Sequence, residues 1–142
     1  DSHEVNSVVR NLARNIVRGD MDEALKLLQA FLSTVPYCDN TDYEGHYQQM
    51  LYVIFSLLGI YTDVEVHTLK GRVDMVLRTR TTLYLVELKL NQNAEIAMKQ
   101  IDLQQYADRF ALCGLPVVKV AINFSAETRT IADWVILRET YA

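Results

Sequence analysis

The chain has 142 residues, half of them hydrophobic and 23% charged, with a net charge of −4 at pH 7. That length suits one domain with a sizeable core, and no apolar run approaches the roughly 20 residues of a membrane-crossing helix. The acidic balance argues against a dedicated nucleic-acid binder, but not against an enzyme that acts on nucleic acid through a local site.

Val8, Val9, Leu12, Ile16 and Val17 recur at helical spacing, which predicts a helix over Asn6 to Arg18 that stops at Gly19. Asp20 reads as an N-cap for a second helix, Met21 to Val35, with Leu25, Leu28 and Leu32 on one stripe. After a loop at Pro36 to Asp42, a third helix over Tyr43 to Leu58 carries Tyr47, Leu51, Ile54, Phe55 and Leu58 inward and ends at Gly59. Strands are expected over Tyr61 to Leu69, around Asp74, and from Leu83 to Leu90, the last two forming an antiparallel hairpin across the polar turn Arg78 to Thr82. A fourth helix is expected from Ala94 to about Phe110, with Ile96, Leu103, Ala107 and Phe110 on its inner stripe. Val117 to Phe124 reads as a strand covered on both faces, and Thr130 to Leu137 as a last strand. This order predicts an α/β domain: a central mixed sheet of four or five strands with a helix on each face.

Two runs in this chain contain charges that an apolar strand would normally exclude. One is Gly71-Arg72-Val73-Asp74-Met75-Val76-Leu77, and the other is Leu83-Tyr84-Leu85-Val86-Glu87-Leu88-Lys89-Leu90. Alternation along a strand places Glu87 and Lys89 on one face with Leu83 and Leu85. On neighbouring hairpin strands Asp74 and Glu87 can face the same side, where two carboxylates repel unless a cation lies between them. Hard oxygen ligands suit magnesium or manganese, with waters and a substrate phosphate completing the shell. Such an ion acidifies a bound water into a nucleophile, and Lys89 can orient that water or offset the charge of the transition state.

The pattern resembles the PD-(D/E)xK nuclease superfamily, whose fold is the restriction-endonuclease-like three-layer core. Asp74 matches the first acidic residue and Glu87-Leu88-Lys89 the (D/E)-x-K, while Val73 stands where the nominal proline would be. The resemblance implies a metal-dependent phosphodiesterase acting on nucleic acid, DNA before RNA. It implies metal ligands at Asp74, Glu87 and the Leu88 backbone carbonyl. Glu44 at the start of the third helix is a further acidic candidate, and Gln100 on the inner face of the fourth helix a polar one; Tyr106 is a weaker candidate beside it. Tyr43-Glu44-Gly45-His46-Tyr47, Gly71-Arg72-Val73-Asp74, Val86-Glu87-Leu88-Lys89 and Gln104-Gln105-Tyr106-Ala107 are similar to a bacterial family of such domains that follow an AAA-ATPase-like region. Residues 1–41 are then expected to be a helical lead-in from an upstream domain, and 42–142 the nuclease-like domain. No GxxxxGK[ST] occurs in the chain, so nucleotide hydrolysis would belong to that upstream region.

Other readings remain open on the same residues. Thr41-Asp42-Tyr43-Glu44 is also a capping box, in which Glu44 would bond back to the Thr41 amide. Arg72, Lys99 and Arg109 are ordinary surface cations that could meet a phosphate. Cys38 and Cys113 lack zinc-ligand spacing and read as reduced thiols of a cytoplasmic protein. His3, His46 and His67 form no HExxH. A two-carboxylate glycosidase leaves Lys89 unexplained. The main alternative is a catalytically silent nuclease-like module that binds a protein partner or the upstream AAA-ATPase-like domain. Cutting both strands of a duplex would suggest a homodimer. The start at Asp1, without Met or a secretory pattern, makes a fragment of a longer protein the expectation.

Overall fold

The computed structural model describes residues 2–35, 43–90 and 114–138, the side chains of Ser2, Tyr43 and Glu44 excepted. Helices α1 (Ser2–Val17), α2 (Met21–Thr34) and α3 (Tyr43–Leu57) precede strands β1 (Asp63–Leu69), β2 (Arg72–Arg78), β3 (Leu83–Leu90), β4 (Val117–Ser125) and β5 (Thr130–Arg138). The strands form one mixed sheet in the order β1-β2-β3-β4-β5. Every neighbouring pair is antiparallel except β3 and β4, which are parallel. The expected fourth helix falls in residues 91–113, outside the described residues.

Local chemistry sets most of the boundaries. Gly19 takes a left-handed φ of 83°, and its N–H donates to Ile16 O at 2.9 Å while Asp20 N–H donates to Asn15 O at 2.9 Å. This is a Schellman stop for α1. Asp20 then caps α2 by accepting from Glu23 N–H at 3.2 Å. Helix α1 begins at Ser2, earlier than expected, and Val5 in its first turn extends the apolar stripe of Val8 and Val9 onto the core. Gly59 does not simply end α3: Leu58–Ile60 continue as a 3-10 turn, so β1 starts at Asp63 rather than Tyr61. Gly71, with φ 76°, fills the second central position of the two-residue turn joining Leu69 to Arg72.

The described helices share one hydrophobic cluster with one face of the sheet. Val9, Leu12 and Ile16 of α1, Leu25, Leu28 and Leu32 of α2, and Leu51, Ile54 and Phe55 of α3 meet Val73, Leu77, Tyr84, Leu88, Ile122 and Phe124 of the strands. Helix α2 is tied to β5 by polar links as well. Gln29 Nε2 donates to Ile131 O at 2.8 Å, Thr130 Oγ1 donates to Gln29 O at 2.6 Å, and Trp134 Nε1 donates to Asp22 Oδ1 at 2.9 Å. The first two helices are therefore part of the same core. Among the described residues no helix is long and apolar enough to cross a membrane.

Candidate active site

The site arises from alternation along β2 and β3. Val73, Met75 and Leu77 of β2, with Tyr84, Val86 and Leu88 of β3, point to the helices and are buried in the main cluster. The alternate residues point the other way. Their register sets Asp74 opposite Glu87, Arg72 opposite Lys89 and Val76 opposite Leu85. One half of this second face is apolar, where Val76, Leu83, Leu85 and Val117 form a separate small cluster. The other half is charged, and it lies where β2 begins and β3 ends.

These charges are not solvated in the ordinary way. Asp74 is 9%, Glu87 5% and Lys89 8% exposed. Arg72 reaches in from the rim with its side chain 34% exposed; its Nε lies 3.3 Å from Asp74 Oδ2 and its Nη1 3.2 Å from Glu87 Oε1. Burial pushes the Asp74 carboxyl above its usual range, against the opposing pull of Arg72, His67 and Lys89. Burial likewise raises Glu87, and the neighbouring Asp74 charge raises it further, with Lys89 and Arg72 acting in the opposite sense. Both carboxyls stay raised although cations stand beside them, so desolvation outweighs pairing here.

The remaining oxygens define a pair of possible donors. Among the described residues, Asp74 Oδ1 and Glu87 Oε2 are buried without a hydrogen-bond partner, and so is Arg72 Nε, whose approach to Asp74 is an ion pair with poor hydrogen-bond geometry. An orphaned buried carboxylate oxygen is costly, and two on facing residues form a pair of hard donors. This donor set fits magnesium or manganese, ions that commonly use only one or two carboxylates beside waters and substrate phosphate. It does not make a closed cage: among the described residues no three His, Cys, Asp or Glu side chains gather into a metal cluster.

Other candidate residues sit at different removes. Leu88 buries its side chain among the helices at 0% exposure, and its backbone runs between Glu87 and Lys89. Glu44 is the second residue of α3, but its side chain lies outside the described residues. So do Gln100, Tyr106, Lys99, Arg109, Cys38 and Cys113. His67 is opposite Asp74 in the β1–β2 register, and its Nε2 pairs with Glu65 Oε1 at 2.8 Å. His46 is exposed and packs edge-on against Tyr47, with ring centroids 5.6 Å apart.

Two contributors were hidden in the sequence. Arg72 reads as a surface cation, yet it joins both carboxylates; the available signal was its i, i+2 relation to Asp74 combined with a register that faces it to Lys89. Gln48 of α3 donates from Nε2 to the Arg72 carbonyl at 2.9 Å and also to the Leu69 carbonyl. It therefore seats the first half of α3 on the turn from which Arg72 emerges, and no sequence pattern flags it.

The sequence profile of the PD-(D/E)XK nuclease superfamily matches residues 42–134. That span contains Glu44, Asp74, Glu87, Lys89 and Gln100. The chain is also 29% identical over 128 residues to an "Uncharacterized protein in vnfD 5'region" of Azotobacter chroococcum mcd 1. The aligned part covers 85% of this chain and 25% of that relative, so the chain spans about a quarter of the relative's length. No solved structure gives a significant match.

Proposed function

We propose that this chain, which belongs to the PD-(D/E)XK nuclease superfamily, is a divalent-metal-dependent nuclease that hydrolyses phosphodiester bonds, with DNA as the first substrate to test. One observation carries the reading: two buried carboxylates stand in direct register, each with an orphaned oxygen, and a buried lysine lies two residues beyond the second. Asp74 and Glu87 would hold magnesium or manganese, with the Leu88 carbonyl and Glu44 as further ligands. Such an ion polarises a phosphoryl oxygen and acidifies water at neutral pH.

The chain's own residues do the remaining work. Lys89 places a positive charge beside the scissile phosphate, where it orients the attacking water and offsets the negative charge that grows as the fifth oxygen arrives. The apolar patch of Val76, Leu83, Leu85 and Val117 next to the charged half keeps the local dielectric low, which strengthens that attraction. Gln100 is assigned to orienting the water or the phosphate. The net charge of −4 supports a division of labour in which this domain cuts while another region grips. An upstream AAA-ATPase-like region is the proposed partner, a homodimer the proposed form for cutting both strands, and the cytoplasm the proposed setting.

A second reading has one observation in its favour. Arg72 already pairs with both carboxylates and, together with Lys89, balances their charge, as suits a silent module that only binds a partner. The two readings separate when the protein is incubated with linear DNA, branched DNA and RNA, in manganese or in EDTA, beside Asp74→Ala and Lys89→Ala. Cleavage in manganese alone, lost in both variants, is the expected result. No cleavage of any substrate with metal, or variants that cut like the parent, would overturn the nuclease reading.

A further inference from the structure

The guanidinium of Arg72 sits between the same two carboxylates that would grip the cation, and its contacts there are incomplete. It reaches one oxygen of each carboxylate, at 3.3 Å and 3.2 Å, instead of both oxygens of one. A guanidinium binds a carboxylate best as a fork with two parallel hydrogen bonds, so the split grip is the weaker one. It leaves Asp74 Oδ1, Glu87 Oε2 and its own Nε without hydrogen bonds among the described residues. Arg72 is also the first residue of β2, directly after the Gly71 turn, and its side chain is one-third exposed. Its long side chain can swing outward by rotamer changes alone, without breaking the sheet.

Charge counting gives the swing a direction. Asp74 and Glu87 carry two negative charges, and Arg72 with Lys89 two positive ones, so the described site is neutral as it stands. A divalent ion entering between the carboxylates meets the guanidinium at short range, and like charges in a poorly solvated pocket repel strongly. Once the ion is seated, the site carries two net positive charges if Arg72 remains nearby. That is the complement of a phosphodiester, with one negative charge, passing through a five-coordinate state with two.

We propose that Arg72 is an exchangeable resident cation: it holds Asp74 and Glu87 together in the metal-free protein, yields that place to the divalent ion, and then turns outward to bind the phosphate of the nucleic acid. This rests on the nuclease reading of the site, but it is tested apart from cleavage. Arg72 thereby becomes a phosphate-binding residue and a control on metal affinity in one side chain.

The two halves of the role give effects of opposite sign. Manganese binding is measured by calorimetry and by electron paramagnetic resonance on the parent, Arg72→Gln, Arg72→Lys and Asp74→Ala. Binding of a short labelled DNA duplex is measured in calcium. Arg72→Gln is expected to bind manganese roughly tenfold more tightly, the equivalent of about 1.4 kcal/mol of removed competition. It is expected to bind the duplex roughly tenfold more weakly. Arg72→Lys should fall between parent and Arg72→Gln in both, and it keeps the test open if the glutamine variant fails to fold. Asp74→Ala should lose manganese binding. Mere structural damage weakens both ligands together, so weaker or unchanged manganese binding in both Arg72 variants overturns the proposal. If those variants show unchanged manganese affinity while the parent still cuts DNA, the role of Arg72 falls and the nuclease reading stands. If the opposite shifts appear and no substrate is cut, the role of Arg72 stands and the nuclease reading falls.

Discussion

The two faces of one sheet obey different rules although they are made from the same strands. On the helix side, Val73, Leu77, Leu88, Ile122 and Phe124 are buried to 0% exposure among apolar neighbours. On the other side, one residue along in each strand, Arg72, Asp74, Glu87 and Lys89 crowd four charges into a largely buried patch. The first face follows packing: apolar area leaves water, and few polar side-chain atoms are buried there, the Tyr84 hydroxyl among them. The second accepts raised carboxyl pKa values and orphaned oxygens, features that weaken a resting fold. The contrast separates packing from the proposed chemistry by strand parity, so the two can be broken independently.

The largest expected effect is on chemistry. Asp74→Ala and Lys89→Ala should each lower the manganese-dependent cleavage rate by on the order of 10³-fold while the circular dichroism spectrum stays native. The opposite face should respond in reverse. Leu77→Ala removes a side chain at 0% exposure and should cost about 2–5 kcal/mol in urea unfolding, with cleavage retained wherever the variant remains folded.

A subtler test uses the raised carboxyls. The ordinary values are 3.8 for Asp74 and 4.5 for Glu87, and both groups titrate higher in the folded chain. Between the ordinary and the raised values the native state holds more protons than the unfolded one, so the stability contributed by the pair falls as pH rises through that window. Acidification from neutrality should therefore add stability from these groups in the metal-free protein, and the gain is complete below the ordinary values. Glu87→Gln should flatten this trend in urea melts at stepped pH. It should also leave the metal-free protein at neutral pH as stable as the parent or more so, by about 0–1 kcal/mol, while abolishing cleavage. The smallest effect belongs to the solvated edge of the same face. Asp63 pairs with Arg78 at 2.6 Å but is 70% exposed, so Asp63→Ala should shift stability by less than about 1 kcal/mol.

Much of this contrast is legible in the amino-acid sequence. The i, i+2 pattern of Leu83, Leu85, Glu87 and Lys89 assigns them one face, and the short polar turn at 79–82 leads Asp74 to meet Glu87. Glycine and capping chemistry at Gly19 and Asp20 set the junction of α1 and α2 almost to the residue. What stays hidden depends on distant contacts. Nothing near Gln29 or Trp134 in the chain announces the bonds that bind α2 to β5, since their partners lie about a hundred residues away. Arg72 hides for another reason: an exposed cation and a cation bridging two carboxylates have the same local sequence, and only register separates them. Glu44 as cap or ligand turns on a side chain outside the described residues, and Gln100 lies outside them altogether.

The proposed metal site places a divalent ion between the two carboxylates on the charged half of the second face. Anomalous diffraction from crystals grown with manganese tests it most directly. A single strong peak is expected roughly 2.1 Å from Asp74 Oδ1 and from Glu87 Oε2, with the Arg72 guanidinium displaced from between them. Manganese bound elsewhere, with Arg72 still spanning both carboxylates, would contradict it.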